Sequence, residues 1–215
     1  MKKSNVITLL SVLILFSISA VAYANDYLES MQKGIDAVYQ ASDIPQLQQA
    51  VNTLERIGAA ENTKWEPQYY AAFGYLMMVN HEKDAATKDA YLDRAMTAIE
   101  KANALAPGES EIIALEGFVY MLRVTVDPGS RGPEFAPRAL QTFGKASALN
   151  PGNPRALALM AQMQHGSAQF FGTSTADACA LVERSLETFD AFKSQNPLAP
   201  RWGKRMAEAL RQQCK

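Results

Sequence analysis

Few residues in this 215-residue chain have side chains suited to chemistry: His81, His165, Cys179, Cys214, and Arg131 in a stretch rich in glycine and proline. Neither histidine has a carboxylate or second ligand at helical i, i+4 spacing, so two solvated or hydrogen-bonded imidazoles are expected and no metal site. There is no Gly-x-Gly-x-x-Gly, phosphate-loop lysine, His-Glu-x-x-His or Cys-x-x-Cys. The expectation is therefore no catalytic residue, no cofactor and no enzymatic activity. Arg131 lies between Ser130 and Gly132, where its guanidinium would clamp Asp127, Glu134 or loop carbonyls, or else receive an acidic group from a partner. Phe170 and Phe171 precede Gly172, where two adjacent aromatics could form a recognition patch, yet core packing is the default and at least one is expected to plug a gap between helices.

The N-terminus carries Lys2 and Lys3, then an apolar stretch from Val6 to Val21, then Ala22-Tyr23-Ala24. This profile is that of a signal peptide over residues 1–24, cleaved after Ala24. It is short for a membrane-spanning helix of about 20 residues. A periplasmic or secreted protein is expected, with no stable membrane insertion after cleavage. Removing the segment takes away two lysines and no acid, so the formal charge moves from −1 to −3. Nothing in that balance favours nucleic acid. A hydrophobic fraction of 48% and a charged fraction of 20% suit a single folded domain over residues 25–215.

An oxidising compartment would let Cys179 and Cys214 pair. With one helix over about Thr175 to Lys193 and another over Arg201 to Cys214, the two run antiparallel. Cys179 then lies roughly 21 Å before the turn and Cys214 roughly 18–20 Å after it, at the same far end, so a bridge is expected over the alternative of a buried free thiol and a frayed terminal one.

The elements that would position these groups follow from an internal repeat. Ala102-Asn103-Ala104-Leu105-Ala106-Pro107, Ala146-Ser147-Ala148-Leu149-Asn150-Pro151 and Phe192-Lys193-Ser194-Gln195-Asn196-Pro197 are alike. Each proline follows a small residue by twelve positions (Ala95, Ala139, Ser185), and a large apolar residue stands four after each small one (Ile99, Phe143, Phe189). A small side chain lets two helices approach closely, a large one fills the gap beside it, and proline cannot continue the helix. Upstream, Gly74, Gly117 and Ala161 recur at 43 and 44 residues. From Trp65 onward this pattern resembles tetratricopeptide-repeat (TPR) proteins, with roughly ten residues more per unit than their standard 34. Val126-Asp127-Pro128-Gly129-Ser130-Arg131-Gly132-Pro133, Phe170-Phe171-Gly172 and Pro197-Leu198-Ala199-Pro200-Arg201-Trp202-Gly203 look like segments of exported bacterial repeat proteins with no assigned activity.

The resemblance implies an all-α superhelix: about three long repeats, an N-terminal helical hairpin (Asp26 to Gln40, Ile44 to Ala59) and a C-terminal capping helix. The extra residues are expected as loops at Asn80–Lys88, Val126–Pro137 and Ala168–Ala176, gathered on one rim. In the repeat register, the concave face carries Tyr75, Met78, Phe118, Met121, Gln162 and His165. That stripe suits an amphipathic or extended peptide, yet it also matches buried core, and the N-terminal hairpin could fold across it. The leading expectation is a non-enzymatic periplasmic scaffold holding a protein or peptide on that face. The alternative is a small-ligand binder or hydrolase at the rim, around Arg131, Glu134, His165 and Phe170.

Overall fold

The computed structural model describes residues 26–214, and the expected leader over 1–24 lies outside them. The described chain is all-α. Helix α1 covers residues 26–40, followed by α2 (Ile44–Ala60), α3 (Glu66–His81), α4 (Ala85–Leu105), α5 (Ser110–Val126), α6 (Pro128–Leu149), α7 (Pro154–Phe171), α8 (Ala176–Ala191) and α9 (Lys204–Gln212). None of the described helices is long and apolar enough to cross a membrane.

Local chemistry sets the boundaries. Asp43, Asp84, Asp127 and Asn153 accept hydrogen bonds from the first free backbone N–H groups of α2, α4, α6 and α7. Proline stands in the first turn of α2, α3, α6 and α7, where its missing N–H costs nothing. Gly172 ends α7 in the left-handed conformation, with φ 65°.

The expected inserted loops are replaced by longer helices. Only residues 82–84, Asp127 and residues 172–175 separate the paired helices, whereas α4 and α6 run to 21 and 22 residues. The Gly/Pro-rich stretch is the start of α6, because Asp127 caps it through Ser130 and Pro128 opens it. Pro133 and Pro137 stand four apart on the exposed face of that helix, the side on which the carbonyls they free are open to solvent. Arg131 and Glu134 are thus helical residues. The last helix also starts later than Arg201, at Lys204.

Packing follows the repeat. Helices α3, α5, α7 and α9 touch one another in succession while α4, α6 and α8 do not, so the odd-numbered helices form the tighter inner layer. The small and large residues of the second helices are buried as Ala50/Leu54, Ala95/Ile99 and Ala139/Phe143, and Ser185 is buried ahead of a half-buried Phe189. Gly74 and Gly117 both sit at crossings too close for a side chain. A Cβ would collide with Val51 Cγ2 at Gly74 and with the Phe143 ring edge at Gly117. Their partners differ: Gly74 faces the preceding hairpin and Gly117 the second helix of its own. Ala161 is buried with Ala158, Val182, Leu186, Ala207 and Leu210, between α7, α8 and α9.

Candidate functional site

The concave face is occupied by the chain itself. Between α8 and α9, residues 197–203 cross the inner layer as a strap. Trp202 lies between Phe73 and Phe118, with ring centroids 5.0 and 5.9 Å away and planes tilted by 18° and 26°. Its Nε1 donates to the Tyr69 hydroxyl at 3.1 Å. Tyr70 donates to the Leu198 carbonyl at 2.7 Å, and Tyr39 of α1 accepts from the Arg201 N–H at 3.1 Å. Arg201 also pairs with Asp36, so the strap reaches the first described helix. Burial pushes the Tyr69 and Tyr70 hydroxyls well above the ordinary phenol range, which keeps both as neutral hydrogen-bonding groups.

Arg155 fastens the strap from below and is 1% exposed. Its Nε and Nη2 donate to Glu111 at 2.7 and 2.6 Å, and its Nη1 donates to the carbonyls of Pro200 and Trp202 at 3.0 and 3.3 Å. The Phe192 ring covers the guanidinium, 4.8 Å from its centroid. Burial opposes the charge, but the two-pronged bond to Glu111 outweighs it and raises the Arg155 pKa. Gly203, with φ 105°, lets the chain pass: a Cβ there would lie 2.8 Å from Phe189 and 3.0 Å from Arg155. Sequence reasoning did not single out Glu111 or Arg155. The signal was available, since they are 44 residues apart in the first turns of α5 and α7, and Ser110 accepts from Asn153 at 43 residues' separation.

The end of the stack where α3, α5 and α7 finish is built differently. Arg131 is held by Asp89 of α4 at 2.6 and 2.7 Å, with Arg123 at 3.8 Å from the same carboxylate. The Arg131 guanidinium holds the Asp89 carboxyl below its usual range. Glu134 pairs with Arg138 at 3.2 Å. Phe170 and Phe171 overturn the expectation that one of them fills a gap: they are 61% and 74% exposed, in a T-shaped pair 5.1 Å apart. They project from the last turn of α7, past the point where neighbouring helices cover it.

The proposed concave-face residues are mostly spent on the core. Tyr75, Met78, Phe118, Met121 and His165 are buried, and Gln162 alone among the six is exposed. Tyr75 is turned to α2, where it donates to Glu55 at 2.9 Å. Phe118 does face the inner surface, but against Trp202. The rim quartet does not converge either: Arg131 is bound to α4, His165 lies against α8 and α9, and α4 touches neither of those helices. Two shallow open grooves lie elsewhere, one of about 330 Å³ around Glu55, Tyr75 and Arg94 and one of about 450 Å³ between α1 and α2.

Cys179 and Cys214 are joined, with Cα atoms 5.7 Å apart, the arrangement that the antiparallel geometry allowed. His81 is exposed at the end of α3. His165 departs from expectation: it is 3% exposed, and its Nε2 has no hydrogen-bond partner among the described residues.

Fold and site together define an all-α, TPR-like helical-repeat scaffold, closed on its inner face by its own C-terminal strap. No family model matches the chain, and no curated protein matches it. Among solved structures it is similar to the HusA haemophore from Porphyromonas gingivalis, with 26% identity, a TM-score of 0.77, and coverage of 88% of this chain and 92% of that one. A thermophilic TPR protein from Thermus thermophilus matches with 17% identity and a TM-score of 0.43, over 84% of this chain and 98% of that one.

Proposed function

We propose that this chain is an exported, non-catalytic carrier that takes up a flat apolar ligand of the tetrapyrrole class on the surface presented by Phe170 and Phe171. The exposed aromatic pair is the observation that carries the reading. Two adjacent phenyl rings held in water at the end of a rigid helix are costly unless something covers them. A planar macrocycle offers the matching apolar face. Likeness to a haemophore over most of both chains supports the ligand class, and the disulfide supports an oxidising compartment. The inner groove is a poorer candidate, because a guest there must first displace Trp202 and Leu198.

Titration with haemin, followed by the shift of its Soret band, tests the proposal. Phe170→Ala/Phe171→Ala is expected to weaken binding at least tenfold with an unchanged melting temperature, since neither ring supports the core. Equal binding by the wild type and the double variant would overturn it. A second reading, a protein or peptide partner, is favoured by the way the inner face already grips a non-helical segment through main-chain carbonyls. Failure of haemin to bind, with a co-purifying protein that the double variant retains, would favour that reading instead.

A further inference from the structure

Three elements bring His165 of α7, Cys179 of α8 and Cys214 beyond α9 to one point, where their ligand atoms all lie within 4.8 Å of one another. We propose that this cluster is a redox-gated zinc site: closed as a disulfide when oxidised, and a Cys₂His ligand set when reduced. The proposal is independent of the carrier reading.

The argument starts from His165. A buried imidazole nitrogen without a partner keeps the full cost of losing its water, and this Nε2 has no partner among the described residues. The His165 ring stands beside two sulfurs that, as a disulfide, are poor acceptors and no ligands for zinc. Opened by a dithiol reductant, the bond takes up two electrons and two protons to give two thiols, and the reductant becomes its own disulfide. Zn²⁺ then displaces both thiol protons, leaving two thiolates and one neutral imidazole on the metal. Two thiolates and a histidine with a fourth position open to water form a known tetrahedral zinc arrangement. With Zn–S of about 2.3 Å, the sulfurs need to stand about 3.8 Å apart. Cys214 can supply that movement because it lies past the end of α9, in the final turn. Disulfide and metal are therefore alternative ways of pinning α9 to α7 and α8.

The test uses the purified protein, reduced anaerobically with a non-chelating phosphine and titrated with Co²⁺. One equivalent should bind with the visible d–d bands of a tetrahedral site and a thiolate-to-cobalt charge-transfer band, and Zn²⁺ should bleach both. The oxidised protein and Cys179→Ser/Cys214→Ser should show neither. His165→Gln, which keeps a polar side chain in place, should bind Co²⁺ at least tenfold more weakly with shifted d–d bands. Far-UV circular dichroism covers the case in which reduction loosens the helices, where Co²⁺ should restore the helicity. The proposal fails if reduced wild type binds Co²⁺ no better than the double serine variant. It also fails if His165→Gln binds as wild type does, or if lost helicity does not return with the metal.

Discussion

At the scale of single residues, the strongest commitment is the buried charge on Arg155. An isolated charge is costly in a protein interior, and this one persists because Glu111 and two strap carbonyls take up its donors. Arg155→Ala leaves Glu111 buried without its partner and frees the strap. It is expected to cost about 3–5 kcal/mol, read from the urea midpoint. Asp89 gives a milder and pH-dependent case. Its folded pKa is depressed, first by the hydrogen bond from Arg131, so its contribution is fully present above the unfolded value of about 3.9 and is lost as pH falls through the folded one. Asp89→Asn should remove about 1 kcal/mol at neutral pH. Urea midpoints measured from pH 7 downward should converge for variant and wild type in acid.

At the scale of elements, α9 is short, nine residues, and such a helix is marginal alone in water. It holds because Ala207 and Leu210 pack against Ala158, Val182 and Leu186 and because the disulfide closes its far end. Cys179→Ser/Cys214→Ser removes a link of sequence separation 35 and is expected to cost about 3–4 kcal/mol. A thermal melt of the double variant should match that of reduced, metal-free wild type. The repeat spacing foretold the helix pairs, because a small residue followed four later by a large one has to sit at a helix crossing. It misassigned the connections: glycine and proline between Val126 and Pro137 looked like a loop. The capping by Asp127 and the spacing of Pro133 and Pro137 on one exposed face allow a helix there instead.

At the scale of the whole molecule, a stack of hairpins has only nearest-neighbour contacts and tends to unfold piecemeal. The strap changes this by joining distant parts, since Leu198 is bonded to α3, Trp202 is stacked on α3 and α5, and Arg201 is paired with α1. Wild type should therefore unfold in one transition, coincident by tryptophan fluorescence and far-UV circular dichroism. Trp202→Ala removes the ring that joins α3 to α5 and is expected to cost about 3–5 kcal/mol. With Trp65 as the remaining reporter, its fluorescence transition should separate from the circular dichroism transition. Coincident curves in the variant would show that the strap does not couple the stack.

By itself the sequence determined the helical pairs, their period, the close crossings at Gly74 and Gly117, and the placing of Cys179 and Cys214 at the same end of their hairpin. Those features rest on local chemistry: capping side chains, helix-stopping prolines, small residues at contact points and the rise of a helix. Only the tertiary structure decided what lies on the inner face, that Arg155 is buried, that Phe170 and Phe171 are exposed, and that His165 joins the cysteines. Each of those depends on which segment returns to cover which surface, and residues 197–203 carry no periodicity to announce their place. Their position follows from the shape and free donors that the assembled helices present.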